Sequence, residues 1–158
     1  MAYNPTNFIQ AQQLTETSTV QKHPLGTVVK ANDPTFGEGE FIYLKGVAST
    51  AVGDVVAFSL ATGTTTRCLA ATRGPLAIAM SANVANQYGW YCIRGNVPVS
   101  AAGAVVIGAV VYLTATAGAV DDAATAGSGV SGITFTTAPS GVGTFAADVF
   151  YPTANGLA

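Results

Sequence analysis

From Pro24 onward, short runs of β-branched and aromatic residues alternate with Gly, Pro, Asn and Thr clusters. Runs of this length, closed by turn residues, read as strands. The pattern predicts strands over 25–30, 40–45, 54–60, 76–80, 88–94, 97–99, 104–107, 110–114, 133–137 and 146–151. Gly95-Asn96 sits between two of these runs and predicts a tight turn pairing 88–94 with 97–99. Asn32 to Gly39 reads as a loop, Thr62 to Thr66 as a turn, and Ala82 to Gln87 as one short helical turn. No stretch carries a capped 3.6-residue period. The fold class expected is all-β, a compact sandwich or barrel of short antiparallel strands.

The pattern also repeats. Gly53-Asp54-Val55-Val56 returns 55 positions later as Gly108-Ala109-Val110-Val111, and Gly63 falls on Gly118. Without a gap, Ala71 meets Ala126, Gly74 meets Gly129 and Ile78 meets Ile133, giving 7 identities over the 28 positions of 53–80 and 108–135. A repeated strand-turn-strand unit is an architectural device. Residues 24–158 are read as one β domain containing it.

Residues 1–23 differ in character. Asn4-Pro5-Thr6-Asn7 is turn chemistry, and a polar run from Gln10 to Ser18 offers only Phe8, Ile9 and Leu14 as apolar anchors. The expectation is an extended N-terminal arm, either without order or ordered against a partner. Met1 to Pro5 lacks the cationic start and apolar core of a secretory signal, so synthesis in a cytosol is expected.

Composition changes the picture in one respect. The chain is 49% hydrophobic but 9% charged, against about 25% charged in ordinary soluble domains. Burial of its surface by neighbouring copies or partners explains this economically. A net charge of −2 with scattered cations argues against nucleic acid, which needs clustered Lys and Arg. The uncharged, largely apolar stretch 97–120 is long enough for a membrane span. Its glycines, Pro98 and Val-Val pairs favour broken strands instead, and no membrane partner is expected.

Candidate chemistry is sparse. His23 is the single histidine, and it would have to meet Cys68 or Cys92 to form a nucleophilic pair, with no local motif in support. It is read as a solvated loop residue and the cysteines as buried free thiols. Gly127-Ser128-Gly129-Val130-Ser131-Gly132 matches the dinucleotide fingerprint in form only, because a β-rich run follows where a helix is required. A hairpin loop is expected there. Asp33, Glu38 and Glu40 form the densest acidic cluster, in a spacing that fits no calcium loop. Asp121-Asp122 reads as turn punctuation. No catalytic residue, cofactor or metal is assigned, and the chain is not expected to be an enzyme.

Aromatic residues are the remaining signal. Phe36, Phe41 and Tyr43 group on one run, and Tyr88, Trp90 and Tyr91 on another. Most such side chains in an all-β domain are core; the other reading is an interface or sugar-stacking surface. The candidate partner contacts are Tyr3, Asn4, Phe8, Ile9 and Leu14 on the arm, with Phe36, Phe41, Tyr43 and Trp90 on the domain.

Pro24 to Ala31, Phe36 to Val47, Gly53-Asp54-Val55-Val56, Gly89 to Gly95, Gly108 to Leu113 and Ala115 to Gly118 together resemble the capsid decoration, or cement, proteins of tailed bacteriophages. The resemblance covers about residues 24–120 and rests on short motifs. Ala109 stands where the first copy has Asp54, which puts a functional requirement for that acid in doubt. The resemblance implies a virion protein on the outer surface of the head that clamps the major capsid protein. It also implies a homo-oligomer, a trimer rather than a dimer, with the arm reaching onto the lattice. The alternative is a receptor- or carbohydrate-binding module of a virion fibre or tail, stacking ligands on Tyr88, Trp90 and Tyr91.

Overall fold

The computed structural model describes Asn4, Pro5 and residues 12–156. Among them there are strands and no helix, so the all-β expectation holds and the short helical turn at 82–87 is absent. In chain order the strands are β1 (Asn4–Pro5), β2 (Val28–Asp33), β3 (Gly37–Lys45), β4 (Val55–Phe58), β5 (Thr65–Arg67) and β6 (Gly74–Ala79). They continue with β7 (Tyr88–Ala101), β8 (Val111–Leu113), β9 (Val120–Asp121), β10 (Gly129–Phe135) and β11 (Gly143–Ala154). All eleven join one sheet. Pairings β7–β9, β9–β8, β8–β10, β10–β11 and β11–β7 form a closed circuit. A smaller circuit runs through β7, β6 and β11.

The two repeat copies pair alike. In the first, Ala57 faces Thr66 and Phe58 faces Thr65. In the second, Tyr112 faces Asp121 and Leu113 faces Val120, the same positions displaced by 55. Gly53 and Gly108 both take positive φ (+88° and +79°), as do Gly63 and Gly118 (+67° and +79°). Asp121, expected in a turn, is therefore a strand residue, aligned with Thr66 of β5.

The strand β7 corrects the hairpin expected at Gly95-Asn96. It runs unbroken through 14 residues. Its first half pairs with β3 up to Arg94, and β11 continues the ladder from Arg94 through Gly95↔Val149 and Asn96↔Asp148. Each half thus has another partner, and no turn is needed. Gly95 lies next to this changeover with φ +142°, a backbone state that glycine adopts without a Cβ penalty. The run 104–107 is likewise no strand: Ala104 makes an isolated bridge to Ser140, and Val106 and Ile107 are exposed.

Both faces of the central strands are covered. Phe41, Tyr43, Trp90, Cys92, Leu76 and Ile78 point into the main core, while the intervening Ile42, Leu44, Tyr91, Ala77 and Ala79 form a second cluster on the opposite face. This is the burial that period-2 alternation gives when both layers are apolar. The second cluster is joined by buried Asn83, which donates from Nδ2 to the Tyr91 hydroxyl at 3.0 Å.

The domain begins earlier than Pro24. Gln12, Leu14 and His23 are all buried, so part of the segment read as an arm packs into the domain. Gln12 donates to the Tyr88 carbonyl at 2.7 Å and accepts from the Tyr43 hydroxyl at 2.7 Å. Trp90 Nε1 donates to the Gln12 carbonyl at 3.0 Å. Ser18 and Tyr88 exchange backbone hydrogen bonds. Gln12 alone satisfies several polar groups that would each be costly unpaired.

A partly buried ion pair of the first copy is tied to the second. Arg67 Nε donates to Asp54 Oδ2 at 2.7 Å, and Arg67 Nη2 donates to the Ala117 carbonyl at 2.8 Å. Asp54 Oδ2 also accepts from the Ala51 amide at 3.0 Å. The Val55 amide donates to the Gly118 carbonyl and the Gly118 amide to the Cys68 carbonyl. A Cβ on Gly118 would lie 2.6 Å from the Asp54 carboxyl carbon. Asp54→Ala is therefore expected to cost about 2–4 kcal/mol in denaturant unfolding, and Gly118→Ala a comparable amount. Wild-type stability in both variants would show that the junction carries no weight.

His23 sits against the Tyr43 ring at 5.1 Å and the Trp90 ring at 5.2 Å, which corrects its reading as a solvated residue. Burial, with Lys22 beside it, holds its pKa below the usual value. The folded state thus prefers the neutral ring. That contribution is complete above about pH 6.5 and is lost as the pH falls through this value toward the folded pKa. The melting temperature, followed by emission of the single tryptophan, is expected to drop between pH 7 and 5 and to drop less in His23→Phe. An equal fall in both proteins would reject the assignment.

Candidate interaction surface

Two strand features raise aromatic side chains onto one face. The β2–β3 turn is capped by Asp33, whose Oδ1 accepts from the Thr35 amide at 2.7 Å and the Phe36 amide at 2.9 Å. The expected loop at 32–39 is accordingly a tight hairpin, and Phe36 projects from it, exposed. On β11, Phe150 and Tyr151 are consecutive yet both exposed, at 65% and 48%. Strand alternation would bury one of the two. Tyr151 escapes it with φ +44°, a left-handed conformation that strains a bulky residue by about 1–3 kcal/mol.

The surroundings explain how Tyr151 is held there. Next to it β11 changes partners: Phe150 still faces Arg94 on β7, whereas Thr153 faces Pro75 on β6. On the other side the β10 register shifts between Ser131 and Ile133. Gly132 fills that shift at φ +84°, and a Cβ there would sit 3.0 Å from the Pro152 Cα. Residues 129–132 are thus strand and bulge, which corrects the hairpin loop expected over the glycine-rich run. The Tyr151 hydroxyl donates to the Glu40 carboxylate; that neighbouring acid pushes the phenol pKa up. The Phe150 and Tyr151 rings meet edge to face at 5.0 Å.

Phe36 and Phe150 line a shallow groove of about 310 Å³ whose floor includes Arg94, Asn96 and Asp148. Arg94 reaches Glu38 at 3.2 Å and Glu40 at 3.9 Å, and Lys30 reaches the same two acids at 3.9 and 3.8 Å. Asn96 donates to Asp148 at 2.8 Å. The acidic cluster noted in the sequence is therefore spent on a turn cap and on ion pairs. No group of three metal-ligating side chains converges among the described residues.

The aromatic residues singled out in the sequence divide sharply. Phe36 is on the surface. Phe41, Tyr43 and Trp90 are fully buried and Leu14 nearly so, which corrects their reading as partner contacts: each packs inside the main core. Asn4 pairs through its backbone with Asn32. Tyr3, Phe8 and Ile9 lie outside the described residues. Phe150 and Tyr151 were missed because alternation within a predicted strand hides a backbone reversal.

Neither thiol suits nucleophilic chemistry. Cys68 and Cys92 are buried and unpaired with each other. Burial pushes the Cys68 thiol up to about 12 and raises Cys92 as well. No helix among the described residues is long and apolar enough to cross a membrane. No family model, curated protein or solved structure matches the chain.

Because thiolate supply controls reaction with disulfide reagents, both cysteines should label at least about a hundredfold more slowly in the native protein than after unfolding. Rapid labelling of either one under native conditions would contradict their burial.

Proposed function

We propose that this protein is a capsid decoration protein: it binds the outer face of a phage head by protein–protein contacts and stabilises the major capsid protein lattice. The observation that carries the reading is the exposed aromatic surface of Phe36, Phe150 and Tyr151, mounted on a closed sheet. Large apolar side chains grouped in the open mark interaction surfaces, and aromatic anchors dominate binding energies at such surfaces. The left-handed backbone at Tyr151 keeps both rings of the pair on the surface, and strained conformations of this kind cluster at functional sites. The low charge content and the sequence resemblance to decoration proteins point the same way. Each contact can be weak, since repetition over a symmetric shell multiplies it.

The alternative, a fibre or tail module stacking a receptor glycan on Tyr88, Trp90 and Tyr91, loses its platform. Trp90 and Tyr91 are inaccessible and Tyr88 is half-buried.

Quantitative mass spectrometry of purified particles is expected to find copies comparable in number to the major capsid subunits. Phe150→Ser with Tyr151→Ser should weaken binding to heads lacking the protein by at least about tenfold, with little change in melting temperature. A copy number in the tens per particle, or undiminished binding by the double variant, would overturn the reading.

A further inference from the structure

The two repeat copies pair β4 with β5 and β8 with β9 in the same register, but they differ at the next strand. In the first copy Val55, Val56 and Ala57 of β4 face Ile78, Ala77 and Leu76 of β6. The corresponding contact in the second copy would set Tyr112 against Ser131. Instead Tyr112 faces Gly129 and Val111 faces Val130. The strand β8 has slipped by two residues, and from Ser131 to Phe135 the edge of β10 that faces away from β11 has no partner strand among the described residues.

The slip also uncovers the segment leading into β8. Gly53 in the first copy is enclosed, with the Thr144 methyl 2.8 Å from the Cβ it lacks; nothing lies within 4 Å of the same point on Gly108. Val55 is fully buried, whereas its counterpart Val110 is 62% exposed, and Val106 and Ile107 beside it are exposed as well. A groove of about 320 Å³ runs between Gly108–Val110 and the open edge at Gly129–Thr134. No charged residue lines it.

We propose that this groove receives a second copy of the chain, whose extended segment adds to the open β10 edge and covers Val106, Ile107 and Val110. Three observations support that occupant. The first repeat shows how this unit is completed: by a paired strand and enclosed glycine. An edge with no partner strand among the described residues and with apolar flanks is a template for strand addition. The groove is uncharged, and it opens beside the stretch from Gly95 to Val120, which carries no charge either; two copies therefore meet without burying an unpaired ion. A charged partner peptide would be disfavoured on the same ground. This surface is separate from the aromatic one, and the proposal does not rest on the capsid reading.

The test is the solution mass of the full chain by light scattering and sedimentation. The expected result is an oligomer of the 15.9 kDa chain at micromolar concentration, converted to monomer by Val110→Lys and by Thr134→Lys. Both side chains are exposed in the monomer, so the circular dichroism and melting of the dissociated variants should retain the β fold. Phe150→Ser with Tyr151→Ser should leave the oligomer intact. A wild-type monomer at about 100 µM would overturn the proposal, as would Lys variants of unchanged mass. Failure of either Lys variant to fold would be resolved by the other, or by Ile107→Lys. Low copy number in particles would bear on the capsid reading alone.

Discussion

Arg67 and Asp54 hold the first repeat copy against the turn of the second, beside the backbone hydrogen bonds that Val55 and Cys68 make with Gly118. One carboxylate oxygen receives both the guanidinium and the Ala51 amide, and the same guanidinium reaches the Ala117 carbonyl. The acid belongs to the first repeat copy; the carbonyl belongs to the turn of the second. An ion pair with one partner buried contributes little net energy over a well-packed apolar substitute, but removing the other partner from the buried acid is costly. Its value lies in specifying a single arrangement. Gly118 has no room for a Cβ against Asp54, so this close approach of the two copies requires glycine.

The second copy has Ala109 where the first has Asp54 and Asp122 where the first has Arg67, so the lock is built once, from the first copy, and reaches the second through the Ala117 carbonyl. The duplicated pattern of glycines and valines was legible in the sequence, and so was the strand content. The asymmetric use of the repeat was not. Residues with identical local propensities, Val55 and Val110, finish at opposite extremes of burial, decided by which strands arrive beside them.

The other departures share that cause. Gly95-Asn96 has turn chemistry, but β11 offers a continuous partner and the strand runs straight through. Gln12 looks like one polar residue among many, yet it lies where Tyr43, Tyr88 and Trp90 leave hydrogen-bonding groups to satisfy. Phe41, Tyr43 and Trp90 have the residue types of an interface and the location of a core. Local pattern predicts which residues form strands. Which strands meet, and therefore which aromatic faces stay outside, depends on long-range closure. For that reason the surface at Phe150 and Tyr151 emerges only with the fold.

The position of β11 in the order of strands has a consequence for how the molecule is made. It is the eleventh strand, and both closed circuits pass through it. While a ribosome is still producing the preceding ten, β7 and β10 each lack a principal partner and neither circuit can shut. Pairings between segments so distant in the chain form slowly, and the open edges meanwhile are exposed to misassembly. The aromatic surface is carried on that same strand, at Phe150 and Tyr151, so the outward-facing aromatic pair is acquired in the step that shuts both circuits.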